Sequence, residues 1–114
     1  MINMVVQSRA FYDLAETLCQ KNITSDEICY RTSINRAYYS AFHATKIYFN
    51  LPDDDEISHS KLIKKLKYKK FYLGNLLGTL FDIRKNVDYK RNLSFDQKDA
   101  ENALKMADTI INNL

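Results

Sequence analysis

A chain of 114 residues supports one hydrophobic core but not a core plus an independent second module. Two glycines and one proline supply too little turn chemistry for a sheet protein, so an all-α fold is expected. A net charge of +3 is too small to indicate nucleic-acid binding by itself, although its distribution is uneven. No run of apolar residues is long enough to cross a membrane, and MINMVVQSRAF lacks the pattern of a secretion signal, so a cytoplasmic protein with no membrane partner is expected. Cys19 and Cys29 have no metal-ligand spacing and read as reduced, small apolar residues; neither a metal nor a cofactor is expected.

In chain order, a covering helix is predicted over about Asn3 to Lys21, with Phe11, Leu14, Ala15 and Leu18 inward. Thr24-Ser-Asp-Glu27 reads as a capping box, with Ile23 and Ile28 able to form a hydrophobic staple, so a second helix should start near Ser25 and run to about Leu51. Pro52 and the acidic run Asp53–Glu56 end it. Ser58 can cap a basic third helix that presents Leu62, Ile63 and Leu66 on one side and six lysines on the other. A fourth helix covers about Phe71 to Tyr89, with Leu73, Leu76, Leu77, Leu80, Ile83 and Val87 at helical steps and Gly74 and Gly78 calling for close approach of a neighbouring helix. Ser94-Phe-Asp-Gln97 reads as a second capping box before a final helix striped by Ala100, Ala103, Leu104, Ala107, Ile110, Ile111 and Leu114. The expected architecture is an up-and-down bundle of about five helices spanning residues 1–114.

The long second helix organises this pattern. Ile34, Ala37, Tyr38, Ala41, Thr45 and Tyr48 form its core-facing stripe. On an adjacent face Arg36, Tyr39, Ser40 and His43 line up, so a guanidinium, a phenol, a hydroxyl and an imidazole can serve one place. Ten of the 17 basic residues fall between Lys61 and Arg91, which is either a solvated face or a phosphate-binding surface. Near the end of the fourth helix, Arg84 and Asp88 stand one turn apart, where the plain reading is an ion pair worth about 0.3 kcal/mol.

Three segments together, NRAYYSAFHAT of the second helix, Ser58-His59-Ser60, and RKNVDY at the end of the fourth, resemble the HEPN domain in its small stand-alone prokaryotic branch. That resemblance implies a helical bundle that commonly dimerises. It also implies an RNA-directed role in toxin–antitoxin or other defence systems, frequently with a minimal nucleotidyltransferase as antitoxin partner. In catalytic members an arginine, four to six residues and a histidine meet their symmetry mates across a homodimer and cleave RNA without metal. Arg84 matches that arginine; the chain then offers Asp88 and Tyr89 where the pattern has its histidine, and no histidine follows His59.

Metal-independent cleavage needs a base for the ribose 2′-OH, a cation for the charged phosphorane and a proton for the leaving oxygen. Arg84, Asp88 and Tyr89 are the catalytic candidates, and Arg36, Tyr39, His43, His59 and Lys85 the RNA- or phosphate-binding ones. Asp88 is a poor base at an ordinary pKa near 4, so His43 or His59 would have to serve from another helix. The alternatives are a non-catalytic phosphate- or nucleotide-binding module using Arg36 and Arg84, and a structural dimer or adaptor. In a homodimer, Gly74, Leu77, Gly78 and Phe81 are expected to let the fourth helix pack on its mate.

Overall fold

The computed structural model describes residues 26–52, 54–89 and 94–114. Four helices make up this part: α1 (Asp26–Tyr48), α2 (His59–Lys69), α3 (Phe71–Tyr89) and α4 (Gln97–Asn113), and no strand occurs among the described residues. The expected covering helix over 3–21, Cys19, and Thr24 and Ser25 of the first capping box lie outside the described residues.

Helix α1 is central, lying against both α3 and α4, while α2 packs mainly on α3. Its stripe is buried as the period requires: Ile34, Ala37, Tyr38, Ala41 and Thr45 are fully inside, and Tyr48 is half-buried under the Lys70 ammonium. Ile34, Ala37, Tyr38 and Ala41 share one core with Leu66, Leu77, Leu80, Leu104 and Ile110. Cys29 sits in a small cluster with Ala100, consistent with its reading as a small apolar residue. Helix α1 stops at Tyr48, short of the expected Leu51, because Asn50 takes a left-handed φ of 58°. Leu51 N then bonds Lys46 O and Asn50 N bonds Ile47 O, both at 2.9 Å, the paired pattern that closes a helix with a left-handed residue.

Ser58 caps α2 as predicted, accepting from Lys61 N at 3.2 Å. At α4 the cap is displaced from the predicted Ser94: Asp96 accepts from Asp99 N at 2.9 Å, and the Asp99 carboxylate accepts from Asp96 N at 3.0 Å. The carboxylate pair offers the same reciprocal bonding as a Ser/Gln box, with charge placed favourably at the helix N-terminus. Lys70, between α2 and α3, donates to Asn113 O at 2.7 Å and Leu114 O at 3.0 Å, satisfying carbonyls at the end of α4.

The two glycines of α3 differ. A Cβ on Gly74 would overlap the Lys67 backbone, so α2 and α3 approach too closely there for any side chain. A Cβ on Gly78 would sit 3.6 Å from Ile63 Cγ2, an ordinary contact. Gly74 therefore serves the α2–α3 hairpin of its own chain, and Leu77 is fully buried in the same core. This corrects the expectation for Gly74 and Leu77, which are used within their own chain and do not open α3 to a second copy.

The pair makes a sharp test by urea unfolding. Gly74→Ala should destabilise by about 1–3 kcal/mol despite its better helix propensity, whereas Gly78→Ala should be neutral or stabilising by up to about 1 kcal/mol. Equal effects would show that the hairpin is not that close.

Candidate functional site

A polar ladder joins α1 to the end of α3. Residues 31, 35 and 39 recur every four positions on α1 and so share a face. Arg31 Nη1 donates to Val87 O at 2.7 Å, Asn35 Nδ2 to Asp88 Oδ1 at 3.2 Å, and the Tyr39 hydroxyl accepts from Arg84 Nη2 at 2.8 Å. Arg31 is itself held by Glu27 at 3.1 Å, whose carboxylate also accepts from Phe95 N, so the start of α4 is tied to the same corner.

Arg84 is the centre of this arrangement. It pairs with Asp88 at 3.1 Å, and its guanidinium carbon lies 5.1 Å from the Tyr39 ring centroid and 5.9 Å from that of Tyr38. The rings take a cation on their faces while Asp88 fixes one side of the fork. Arg84 Nε is buried with no hydrogen-bond partner among the described residues, leaving a donor unused.

His59 comes to the same cluster from the first turn of α2. Its ring stacks on Phe81 at 4.9 Å and 9°, lies 4.6 Å from Phe42, and its Nδ1 is 2.5 Å from the Tyr38 hydroxyl. Burial, and then the Arg84 charge, hold the His59 pKa below its ordinary value. Burial pushes the Tyr38 phenol well above its own, a rise that Arg84 opposes and Tyr39 reinforces. A neutral imidazole holds this bond in either ring tautomer, because a phenol both donates and accepts: Tyr38 donates when the His59 proton is on Nε2 and accepts when it is on Nδ1.

Arg36, Tyr39 and His43 line one cavity of about 280 Å³ with Phe42 and Lys46, and Tyr39 is the residue this cavity shares with Arg84. Lys46 is nearly buried and donates to Asp55 O at 2.9 Å. Ser40 departs from the expected polar face. It is fully buried and donates to Ala37 O at 2.8 Å, because helical rotation carries it to the α1 side that faces the core. Lys85 lies elsewhere: it pairs with Asp82 at 3.3 Å, caps the Phe81 ring at 4.7 Å and lines the groove between α2 and α3. Tyr89 closes α3, and its side chain falls outside the described part. Sequence reasoning did not identify Arg31, Asn35 and Tyr38 as site residues; the four-residue repeat of 31, 35 and 39 was the available signal.

Comparison with known families agrees with this architecture. The model of the HEPN domain matches residues 7–114, and the chain belongs to that family. No curated protein and no solved structure gives a significant match. Among the described residues no helix is long and apolar enough to cross a membrane.

The depressed His59 pKa has a signed consequence. The unfolded chain takes up a proton near pH 6.5 that folded His59 refuses, so stability is fully present above that pH and falls as pH drops toward the folded pKa. Histidine ring titration by NMR should give His59 a midpoint below 6.5, and His59→Gln should flatten the fall in melting temperature on the acid side. A midpoint at or above the ordinary value would contradict the assigned Tyr38–His59 pair.

Proposed function

We propose that this HEPN protein is an RNA-directed component of a toxin–antitoxin or defence system that grips a backbone phosphate at the Arg84–Tyr39–Arg36 face. The observation that carries this reading is the 2.8 Å bond from Arg84 to Tyr39, a residue that also lines the cavity of Arg36 and His43. Arginine suits the task because its planar fork binds phosphate bidentately, and with Nε buried and 16% of the Arg84 side chain exposed, a phosphate oxygen would meet the outer guanidinium nitrogens. In the tautomer with its proton on Nε2, His59 adds a neutral donor. Asp88 already neutralises part of the Arg84 charge, so phosphate binding competes with the carboxylate.

A second reading, metal-independent cleavage, is favoured by one observation: His59 is kept neutral beside a guanidinium. For His59 to act as base, its Nδ1 would carry the proton and donate to Tyr38, freeing Nε2 to take the ribose 2′ proton. The 2′ oxygen then attacks phosphorus, a 2′,3′-cyclic phosphate forms, and the departing 5′ oxygen takes a proton from solvent water as its bond breaks. A two-fold homodimer would bring a second Arg84 to the same phosphate, and its contact surface would be built around half-exposed Tyr39 rather than around buried Leu77.

Purified protein is incubated with total RNA and tRNAs in EDTA, alongside binding titrations. Arg84→Ala should weaken RNA binding by roughly tenfold or more, and Asp88→Asn should tighten it. If cleavage occurs, it should be lost in both Arg84→Ala and His59→Ala. Binding unchanged in Arg84→Ala would overturn the reading, and loss of cleavage in Asp88→Asn with His59→Ala still active would move the acid–base role to Asp88.

A further inference from the structure

The α2–α3 hairpin carries a second surface that the Arg84 face does not use. Between Ile57 and Phe81 the chain has six lysines and no aspartate or glutamate. Where the two helices lie side by side they leave an open groove of about 460 Å³. Lys64 and Lys67 line it from α2 and Lys85 from α3, with Ser60, Asn75 and Thr79 as neutral donors and acceptors. Asp82, paired with Lys85, is the acidic residue in its lining. Gly78 forms part of the groove, which is where the α3 surface lacks a side chain.

At the hairpin end of this groove the side chains change character. Tyr68 is 95% exposed, Phe71 71% and Tyr72 65%, three aromatic rings within five residues facing solvent. Tyr68 follows Lys64 by one helical turn, and Tyr72 precedes Asn75 and Thr79 by one and two turns, so both rings continue the rows that line the groove. Core packing does not account for them, because the apolar side of α2 is already spent on buried Leu62, Ile63 and Leu66.

We propose that this hairpin is a binding track for single-stranded nucleic acid, with the lysine groove following the phosphates and Tyr68, Phe71 and Tyr72 stacking successive unpaired bases. A cationic groove with exposed rings is the combination that binds single strands with little sequence preference, since every base has a π-face. A duplex hides those faces and would use the lysines alone. A lipid surface requires an apolar helix face, which α2 has buried. A protein interface usually depletes lysine at its core, whereas here lysines alternate with the rings. The inference rests on RNA being the ligand class, but it stands on residues that the Arg84 face does not share.

The test is fluorescence anisotropy with a labelled oligouridylate of about twelve nucleotides, within the usual site size, over a salt series. The proteins are the parent, Tyr68→Ala/Tyr72→Ala, Lys64→Gln/Lys67→Gln and Arg84→Ala, with helicity checked by circular dichroism. Removing the two rings should weaken binding by roughly tenfold or more without changing the salt dependence. Removing the two lysines should make the slope of log affinity against log salt shallower by about 1.4. Parent-like binding by both hairpin variants, equal affinity for a duplex, or equal competition by polyglutamate would each overturn the track. Hairpin variants that bind normally while Arg84→Ala does not would sink this inference and leave the Arg84 reading standing; the reverse pattern would do the opposite. If the parent fails to bind oligouridylate the track falls, and the tRNA assays judge the Arg84 face independently.

Discussion

The position of Arg84 depends on α1 holding the end of α3 through hydrogen bonds at three successive turns. A helix C-terminus leaves carbonyls without intrahelical partners, and a guanidinium and a carboxylate one turn apart would ordinarily form a weak, exposed pair. Here Arg31 satisfies Val87 O, Asn35 holds the far oxygen of Asp88, and Tyr39 takes the outer nitrogen of Arg84. A surface pair becomes a fixed, largely enclosed cation whose buried Nε has no partner among the described residues. The aromatic cluster beneath it completes the effect: Tyr38, Phe42, Phe81 and His59 exclude water, which strengthens every interaction the guanidinium makes.

The same enclosure bears on the chemistry. Desolvation acts on Tyr38 and His59 together, raising the phenol and lowering the imidazole, so both are neutral near pH 7. Their contact holds with either ring tautomer. With the proton on Nε2 the imidazole can donate to a phosphate oxygen; with the proton on Nδ1, donated to Tyr38, Nε2 is left as a base. Phosphate recognition needs the first form and cleavage the second, so the His59 tautomer separates the two chemistries.

Much of the fold is written in local pattern. The burial of Leu62, Ile63 and Leu66, of Leu73, Leu77 and Leu80, and of Ala100, Ala103 and Ala107 follows from helical period alone. The Arg84–Asp88 pair follows from spacing. What spacing cannot carry is the relative rotation of two helices. Nothing in Ser58-His59-Ser60 says that His59 meets Phe81 and Tyr38, because that depends on how closely the α2–α3 hairpin folds, and the closeness is set by Gly74 against Lys67. Ser40 shows the converse, a residue at the right step for the polar face whose hydroxyl is absorbed by its own backbone. The cap at Asp96 was missed because two overlapping box patterns compete there, and the one with two carboxylates prevails.

The central claim is that Arg84 is where this HEPN protein takes hold of an RNA phosphate. Arginine side-chain NMR on the full chain reads the Arg84 guanidinium directly as a single-stranded RNA is titrated in. The account predicts that the Arg84 Nε–Hε resonance, sharp and slow to exchange in the free protein, shifts progressively with the His59 ring signals. A titration that saturates with Arg84 and His59 unmoved, while binding is detected elsewhere on the chain, would contradict it.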